Sequence, residues 1–249
     1  MPEAKPTLAI YEELTMQKST ALILGILIAI GLTLAGTAIG VGYYSARTAD
    51  RFVTVKGLAE REVNADLAIW PITFVVTGNN LNTLQQQIDE QRQIVSRFLV
   101  DSGFSSEEIS YSAPRIRDLQ SEQYNQRSAP YRYQAQSTVT TRSPQVMQVK
   151  KTMEESGKLV ASGVVLVADN WENPTEFLFT SLNDIKPEMI EEATKNAREA
   201  AEKFALDSGS KVGKIRHANQ GLFTIRDRDR NSPERKIVRV VTTIDYYLD

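Results

Sequence analysis

The longest apolar run of the chain lies near its N-terminus. Residues 19–46 contain no charged side chain, and the almost wholly apolar part, residues 20–42, is 23 residues long. At about 1.5 Å per residue, such a helix reaches about 35 Å, slightly more than the roughly 30 Å hydrocarbon core of a bilayer. The pattern predicts a short polar tail (residues 1–18), a transmembrane helix (residues 19–46) and a soluble domain (residues 47–249).

Two features of this segment leave alternatives open. Residues 36–38 (Gly-Thr-Ala) resemble a signal-peptidase site, although the apolar run is longer than that of an ordinary signal peptide. Tyr43 and Tyr44 stand where an interfacial aromatic belt would lie, which favours an uncleaved anchor. Basic residues flank both ends, and long domains cross membranes largely regardless of charge, so charge alone does not decide on which side the domain lies.

The apolar segment also contains one GxxxG motif, formed by Gly36 and Gly40. This spacing lets two helix backbones approach closely, so these residues are candidates for self-association of the helix. Glycine is common in membrane helices, and a monomeric anchor is the alternative.

The rest of the chain alternates helical and β-type patterns. Apolar residues recur at helical spacing over residues 80–103, 143–157 and 187–209, and cap or stop residues border each run. β-rich runs predict strands over residues 52–56, 67–77, 110–118, 131–141, 164–167, 176–182, 221–226 and 236–248.

An internal repeat organises these elements. At an offset of 106 residues, the Asp-Ser-Gly run at 101–103 aligns with the same run at 207–209, and residues 131–141 align with residues 237–247. Each half then reads as a strand, a long helix and a hairpin. We predict an α+β fold of two β-α-β-β repeats packed as one body, at about residues 51–142 and 158–249.

Several runs of the domain resemble the SIMPL family, formerly a family of unknown function. The resemblance covers about residues 51–248. It rests on Val-Thr-Val-Lys-Gly-Leu-Ala-Glu at residues 53–60, Asn-Ala-Asp-Leu-Ala at 64–68, the Asp-Ser-Gly helix end near Gly209 and the closing run at 239–247. Ala65 stands where the family often has proline. These motifs are structural rather than catalytic.

The resemblance implies a bacterial envelope protein, exported by a signal peptide or an N-terminal anchor. Some members assemble into large hollow rings, and others are associated with tolerance of oxidative stress. No agreed active site accompanies the family. The resemblance therefore implies a single-pass protein of the cytoplasmic membrane with its soluble domain in the periplasm.

Composition removes several classes of chemistry. The chain has no cysteine and one histidine, so thiol nucleophiles, disulfides and multi-histidine metal sites are excluded within it. It has 29 basic and 31 acidic side chains, a net charge of −2, and so lacks the basic excess typical of nucleic-acid binding. We expect no nucleic-acid partner.

Candidate catalytic and metal-binding residues each have a simpler explanation. Residues 227–231 (Asp-Arg-Asp-Arg-Asn) begin like a calcium loop, but Ser232 and Val238 stand where glycine and glutamate are needed. The acidic residues of the predicted helices are typical of helix starts and exposed faces. His217 has no identifiable nucleophile as a partner. We predict no catalytic residue, no cofactor and no metal.

Two polar loops at equivalent positions of the repeat are candidate subunit or partner contacts. Aromatic residues are interleaved with Arg and Gln in the first loop, and acidic and basic residues alternate in the second. The alternative is cross-strand pairing within a hairpin. Trp70 and Trp171 are assigned to core or rim packing. The candidate contact residues are Tyr124, Arg127, Tyr131, Arg228 and Arg230.

Together these features predict a membrane-anchored, non-enzymatic envelope protein. We expect it to act by assembling into a homo-oligomer or by binding other envelope proteins, with a link to stress tolerance. Two alternatives stay open: an envelope hydrolase with a site between the repeats, and a transport or channel component formed by a ring of subunits.

Overall fold

The computed structural model describes residues 6–48, 51–121, 130–167 and 171–249. They form five α-helices, a short 3₁₀ turn (Ser106–Glu108) and nine strands in two sheets. The α+β class and the N-terminal apolar helix are confirmed. The helices are α1 (Pro6–Thr48), α2 (Leu81–Asp101), α3 (Val146–Glu154), α4 (Gly157–Ala161) and α5 (Leu182–Asp207). The strands are β1 (Phe52–Asn64), β2 (Leu67–Gly78), β3 (Ile109–Tyr111), β4 (Arg115–Asp118), β5 (Tyr133–Ser143), β6 (Glu176–Leu178), β7 (Val212–Gln220), β8 (Thr224–Asp227) and β9 (Arg235–Leu248).

The chain divides into two compact units. The first comprises Met1–Val55, Glu199–Ala218 and Ile244–Asp249, and the second comprises Lys56–Arg198 and Asn219–Thr243. The second unit contains the larger hydrophobic core, in which Phe74, Leu99 and Val139 are fully buried.

The larger sheet lies wholly in the second unit and has the order β3-β5-β2-β6, with β4 also paired to β5. β2 and β5 are antiparallel along their length, from Ala68 opposite Ser143 to Gly78 opposite Tyr133. Pro71 lies inside β2, opposite Thr140. One face of this sheet packs against α2, whose Leu84, Ile88, Val95 and Leu99 are buried.

The smaller sheet has the order β1-β9-β7, and β8 also pairs with β9. It repeats the plan of the larger sheet, because β9, like β5, is a long strand flanked by one long strand and two shorter ones. The long neighbour of β9 is β1, which lies at the start of the first predicted repeat in sequence. The residues just before α5 contribute instead the three-residue β6, which pairs with β2 in the larger sheet.

Helices α2 and α5 end in the same way. Gly103 follows α2 with φ +97° and Gly209 follows α5 with φ +68°, a conformation that favours glycine. The amide of Phe104 donates to the carbonyl of Leu99 at 3.2 Å, and the amide of Ser210 donates to the carbonyl of Ala205 at 2.8 Å. The Asp-Ser-Gly stops predicted at both helix ends are confirmed.

Other predicted boundaries differ from the structure. The helix predicted over residues 143–157 is two helices, α3 and α4, and Gly157 begins the second. Leu166 makes only an isolated bridge to Phe74 in place of the strand predicted at residues 164–167. Helix α5 begins at Leu182, so Pro187 lies inside it rather than at its first turn. Its earlier start depends on a carboxylate from a distant turn, which local sequence does not reveal.

Candidate functional site

The described part of α1 contains a candidate membrane span, Thr20–Ser45, with a mean hydropathy of 2.5 and none of its surface buried. Large apolar side chains project outward along it, including Leu32 at 69 % exposure and Ile39 at 73 %. Such surface is stable only in an apolar environment, which fits a single-pass or signal-anchor helix. A Cβ atom added at Gly36 or Gly40 would have no neighbour within 4 Å. Self-association through these two residues stays a prediction.

Gly57, in the first motif of the family resemblance, marks the closest approach between β1 and α5. A Cβ atom placed on Gly57 would lie 1.8 Å from the carbonyl oxygen of Ala193 and 2.5 Å from the amide nitrogen of Ala197. Asn196 donates from Nδ2 to the Leu58 carbonyl at 2.8 Å in the same region. The motif glycine therefore lets the helix backbone rest directly on the strand.

Asp66, in the second motif, binds the start of α5. Its carboxylate accepts hydrogen bonds from the Thr180 amide (2.7 Å), the Thr180 hydroxyl (2.9 Å) and the Ser181 amide (2.9 Å). Burial alone would raise the pKa of Asp66, but the hydrogen bonds from Ser181 and Thr180 outweigh it and lower the pKa. The turn between β1 and β2 thus supplies the cap of a helix more than a hundred residues later.

Arg228, a predicted partner contact, is bound within the protein. Its guanidinium lies 3.0 Å from Glu62, 2.9 Å from Asp229 and 2.9 Å from the Ser232 hydroxyl. Arg235 and Arg228 both lower the pKa of Glu62 by hydrogen bonding to it. Arg228 therefore organises the hairpin tip between β8 and β9, whereas Arg230 beside it is exposed.

The second predicted contact loop is partly described. Tyr124 and Arg127 lie outside the described residues, and Tyr131 is 46 % exposed. The neighbouring Arg132 reaches Asp118 at 3.1 Å, and its hydrogen bond lowers the pKa of that carboxyl. These contacts are the cross-strand pairing weighed as the alternative. A role of Tyr131 or Arg230 in partner binding stays a prediction.

The carboxyl groups with shifted pKa values all shift in one direction. Where a shift is resolved among the described carboxyls, the pKa is lowered, because a cation or backbone amide stabilises the ionised form. A general acid of a glycosidase type would need a raised pKa. The groups are Glu62, Asp66, Glu108, Asp118, Glu155, Asp229 and Glu234.

Glu234 is the most enclosed member of this set. Burial is the largest single influence and would raise the pKa of Glu234, but the hydrogen bond from Lys150, a backbone hydrogen bond and the charges of Lys150 and Arg235 together outweigh it and lower the pKa. The Lys150 ammonium lies 2.7 Å from Oε1, and the Glu234 side chain is only 10 % exposed. The pair joins α3 to the turn before β9, where the Ala65 amide donates to the Glu234 carbonyl at 2.7 Å. This is a structural ion pair.

Strand β7 is the feature that sequence reasoning missed. It is an end strand of the smaller sheet, and every residue of the run 214–220 is exposed, including His217 and Ile215. Lys211 and Asp249 exchange both backbone hydrogen bonds, at 3.1 and 3.0 Å, so the amide of Lys214 points away from β9. Among the described strands, none pairs with this outer side of β7. Such an edge is a template for pairing with another strand.

Comparison with known proteins identifies the family. The model of the SIMPL family, described as a protein of unknown function (DUF541), matches residues 53–240. No curated protein matches the chain. The match includes both motif residues whose packing is explained above, Gly57 and Asp66, and both Asp-Ser-Gly helix ends. The chain belongs to the SIMPL family.

Proposed function

We propose that this chain is a single-pass protein of the cytoplasmic membrane whose SIMPL domain lies in the periplasm and acts by assembling into a homo-oligomer, without catalysis. The open edge of β7 is the observation that carries the assembly. The ion-paired carboxyl groups support a non-catalytic role. A link to stress tolerance, or the binding of other envelope proteins, would follow from the assembly.

The edge of β7 is suited to specific pairing. Antiparallel addition of a strand satisfies a row of backbone groups without requiring new side-chain chemistry. Lys214, an exposed residue of β7, places positive charge on this strand, which opposes indiscriminate aggregation. Pairing of β7 with β7 of a second copy would give a closed dimer. Pairing of β7 with the other end strand, β1, would give a ring or a filament.

Because the chain has no cysteine, an introduced thiol can show directly on which side of the membrane the domain lies. Ser162→Cys places a single thiol at an exposed position of the domain, and Lys18→Cys places one before the membrane span. In intact cells, a membrane-impermeant maleimide should label Ser162→Cys and should label Lys18→Cys only after lysis. The reverse pattern would refute the periplasmic placement. Release of the domain from washed membranes would show that the anchor is cleaved.

A proline substitution tests whether the outer edge of β7 forms the contact between subunits. Lys214→Pro removes an amide that points away from β9, whereas Lys214→Thr keeps it and removes the same charge. Light scattering of the detergent-solubilised full chain should show an oligomer for the native protein and for Lys214→Thr, and a monomer for Lys214→Pro. Circular dichroism checks that the proline variant is folded.

Two outcomes would contradict the assembly proposal. A native protein that is monomeric over a wide concentration range would refute self-assembly. An unchanged oligomer mass in a folded Lys214→Pro variant would exclude the β7 edge as the contact. Replacing Gly36 and Gly40 by leucine in the same measurement separates any contribution of the membrane helix.

A further inference from the structure

Trp171 is strongly exposed. The side chain of Trp70 is 7 % exposed, as expected for packing, but Trp171 is 84 % exposed. The assignment of Trp171 to core or rim packing is therefore wrong, because its indole lies outside the core. Exposure of so large an aromatic surface is unfavourable in water and is typical of residues that bind another molecule.

Trp171 lies at one end of a groove on the larger sheet. One cavity of about 470 Å³ is lined by Trp171, Trp70, Pro71 and Pro174, among others. A second cavity of about 410 Å³ is lined by Pro114, Arg115, Gln136 and Thr140, among others. Asn173 lines both cavities, so the two cavities adjoin at this residue. We call this surface, from Trp171 through Asn173 to Gln136 and Thr140, the Trp171 groove.

The second cavity is polar but carries little net charge. Among the described residues that line it, the basic group is Arg115, which lies 2.9 Å from the Glu172 carboxylate. Gln136, Thr140 and Asn173 supply amide and hydroxyl groups that both donate and accept hydrogen bonds. Since this cation is paired, the described part of the groove does not match a phosphate or another anion.

This combination matches the surface of a sugar. A pyranose ring has an apolar face of C–H groups and a rim of hydroxyl groups. An exposed indole offers a flat apolar face, and neighbouring amides and hydroxyls match the rim. We propose that the Trp171 groove binds an uncharged glycan strand, with Trp171 stacked on one sugar ring and Gln136, Thr140 and Asn173 hydrogen-bonded to hydroxyl groups of adjoining rings.

Two other occupants fit the groove less well. A proline-rich peptide also docks on aromatic surfaces, but its backbone offers mainly carbonyl acceptors because proline has no N–H, whereas the amide and hydroxyl groups along the second cavity both donate and accept. A lipid surface is disfavoured because Arg115, the basic group among the described lining residues of the second cavity, is paired with Glu172 and so offers little attraction to anionic headgroups. The glycan site is independent of the assembly proposed above.

The two tryptophans provide the assay. Trp171 is exposed and Trp70 is buried, so a ligand that covers the groove should shift the Trp171 emission to shorter wavelength. The full chain is titrated in a zwitterionic detergent without a sugar headgroup, because glycoside detergents would compete. The probes are hexasaccharides of β-1,4-linked glucose and of β-1,4-linked N-acetylglucosamine.

We expect a saturable shift with at least one of these probes. Trp171→Ala should lose the spectral response and, by calorimetry, bind the same probe at least about tenfold more weakly. Gln136→Ala should weaken binding several-fold. Leu222→Ala removes an apolar side chain that is 91 % exposed and lies outside the groove, and it should bind like the native protein. Because Trp171 is exposed, its replacement should leave the circular dichroism unchanged.

Three results would overturn the proposal. The first is no saturable response, and no retention on insoluble cellulose, chitin or peptidoglycan. The second is an unchanged affinity in a folded Trp171→Ala variant. The third is a response to proline-rich peptide, or quenching of Trp171 by brominated lipid, in place of any response to glycan.

Discussion

Replacement of Gly57 by alanine should destabilise the domain far more than the size of one methyl group suggests. In the native structure, the Cβ position of Gly57 falls 1.8 Å from the Ala193 carbonyl oxygen and 2.5 Å from the Ala197 amide nitrogen. Real Cβ contacts of this kind are not closer than about 3 Å. Both contacting atoms belong to the backbone of α5, so no side-chain rotation relieves the overlap.

The magnitude follows from this geometry. Removing the overlap requires β1 and α5 to separate by more than 1 Å, since an ordinary contact lies at 3.4–4 Å. The separation loosens the cluster of Ala59, Met189, Ala193, Val238 and Val240, which packs between the same elements. Overpacking typically costs about 1–3 kcal/mol, and a backbone clash belongs at or above the upper end of that range. We expect a loss of about 3 kcal/mol.

Thermal unfolding of the full chain in detergent measures this loss. For a domain of this size, about 3 kcal/mol corresponds to a Tm lower by roughly 6–12 °C. Gly157→Ala is the matched control, because Gly157 begins α4 and its added Cβ would meet nothing within 4 Å. That substitution should leave the Tm unchanged or raise it by a few degrees, since alanine favours helix.

A Tm of Gly57→Ala within about 2 °C of the native value would refute the reasoning. It would mean that β1 and α5 separate without loss of packing. If Gly57→Ala does not accumulate in cells while Gly157→Ala does, the yields of folded protein rank the two variants in the same order as their expected stabilities. Gly57→Ser should then be no better, because it adds the same Cβ.

Three further substitutions test other contacts. Asp66→Asn should lower the free energy of unfolding by about 1–2 kcal/mol near neutral pH. Because the pKa of Asp66 is lowered in the folded state, the stability that its carboxylate contributes is present above the unfolded pKa and is lost as pH falls through the folded pKa. Urea unfolding of the variant should therefore depend less on pH below about pH 5 than that of the native protein. Lys150→Met leaves the enclosed Glu234 carboxylate without its cation and should cost about 1–3 kcal/mol, whereas an unchanged midpoint would show that water replaces the ammonium. Gly209→Ala should lower the stability by about 1 kcal/mol because φ is +68°, a strained conformation for alanine, and nothing lies within 4 Å of the added Cβ. Gly209→Asn should cost less, because asparagine tolerates this conformation better. Equal unfolding midpoints for the two variants would contradict the view that the loss comes from backbone strain.

Features encoded by neighbouring residues were predictable. The apolar span, the cap of α2 at Asn80 and the glycine stops at Gly103 and Gly209 each depend on a few residues in sequence, and the structure contains all of them. Helix periodicity also identified Leu84, Ile88, Val95 and Leu99 of the buried face of α2, whereas Leu81, which belongs to the same pattern, is 48 % exposed.

Features that depend on distant residues were not predictable in the same way. The start of α5 at Leu182 needs the carboxylate of Asp66, and β9 pairs with β1, a strand at the start of the first predicted repeat. Strand β7 is exposed along most of its length, so it lacks the alternation by which a half-buried strand is recognised. The exposure of Trp171 depends on where its loop lies against β2, which composition does not encode.

The placement of β9 has a consequence for the order of synthesis and folding. β9 is the middle strand of the smaller sheet, yet it follows every other described element in sequence. Thr54 near the start of the domain donates to Asp245, 191 residues later, at 2.7 Å. β1 therefore leaves the ribosome first and lacks its sheet partner until the rest of the domain has been synthesised. Throughout that interval its backbone groups are unpaired, so the last strand of the chain determines when the smaller sheet can form.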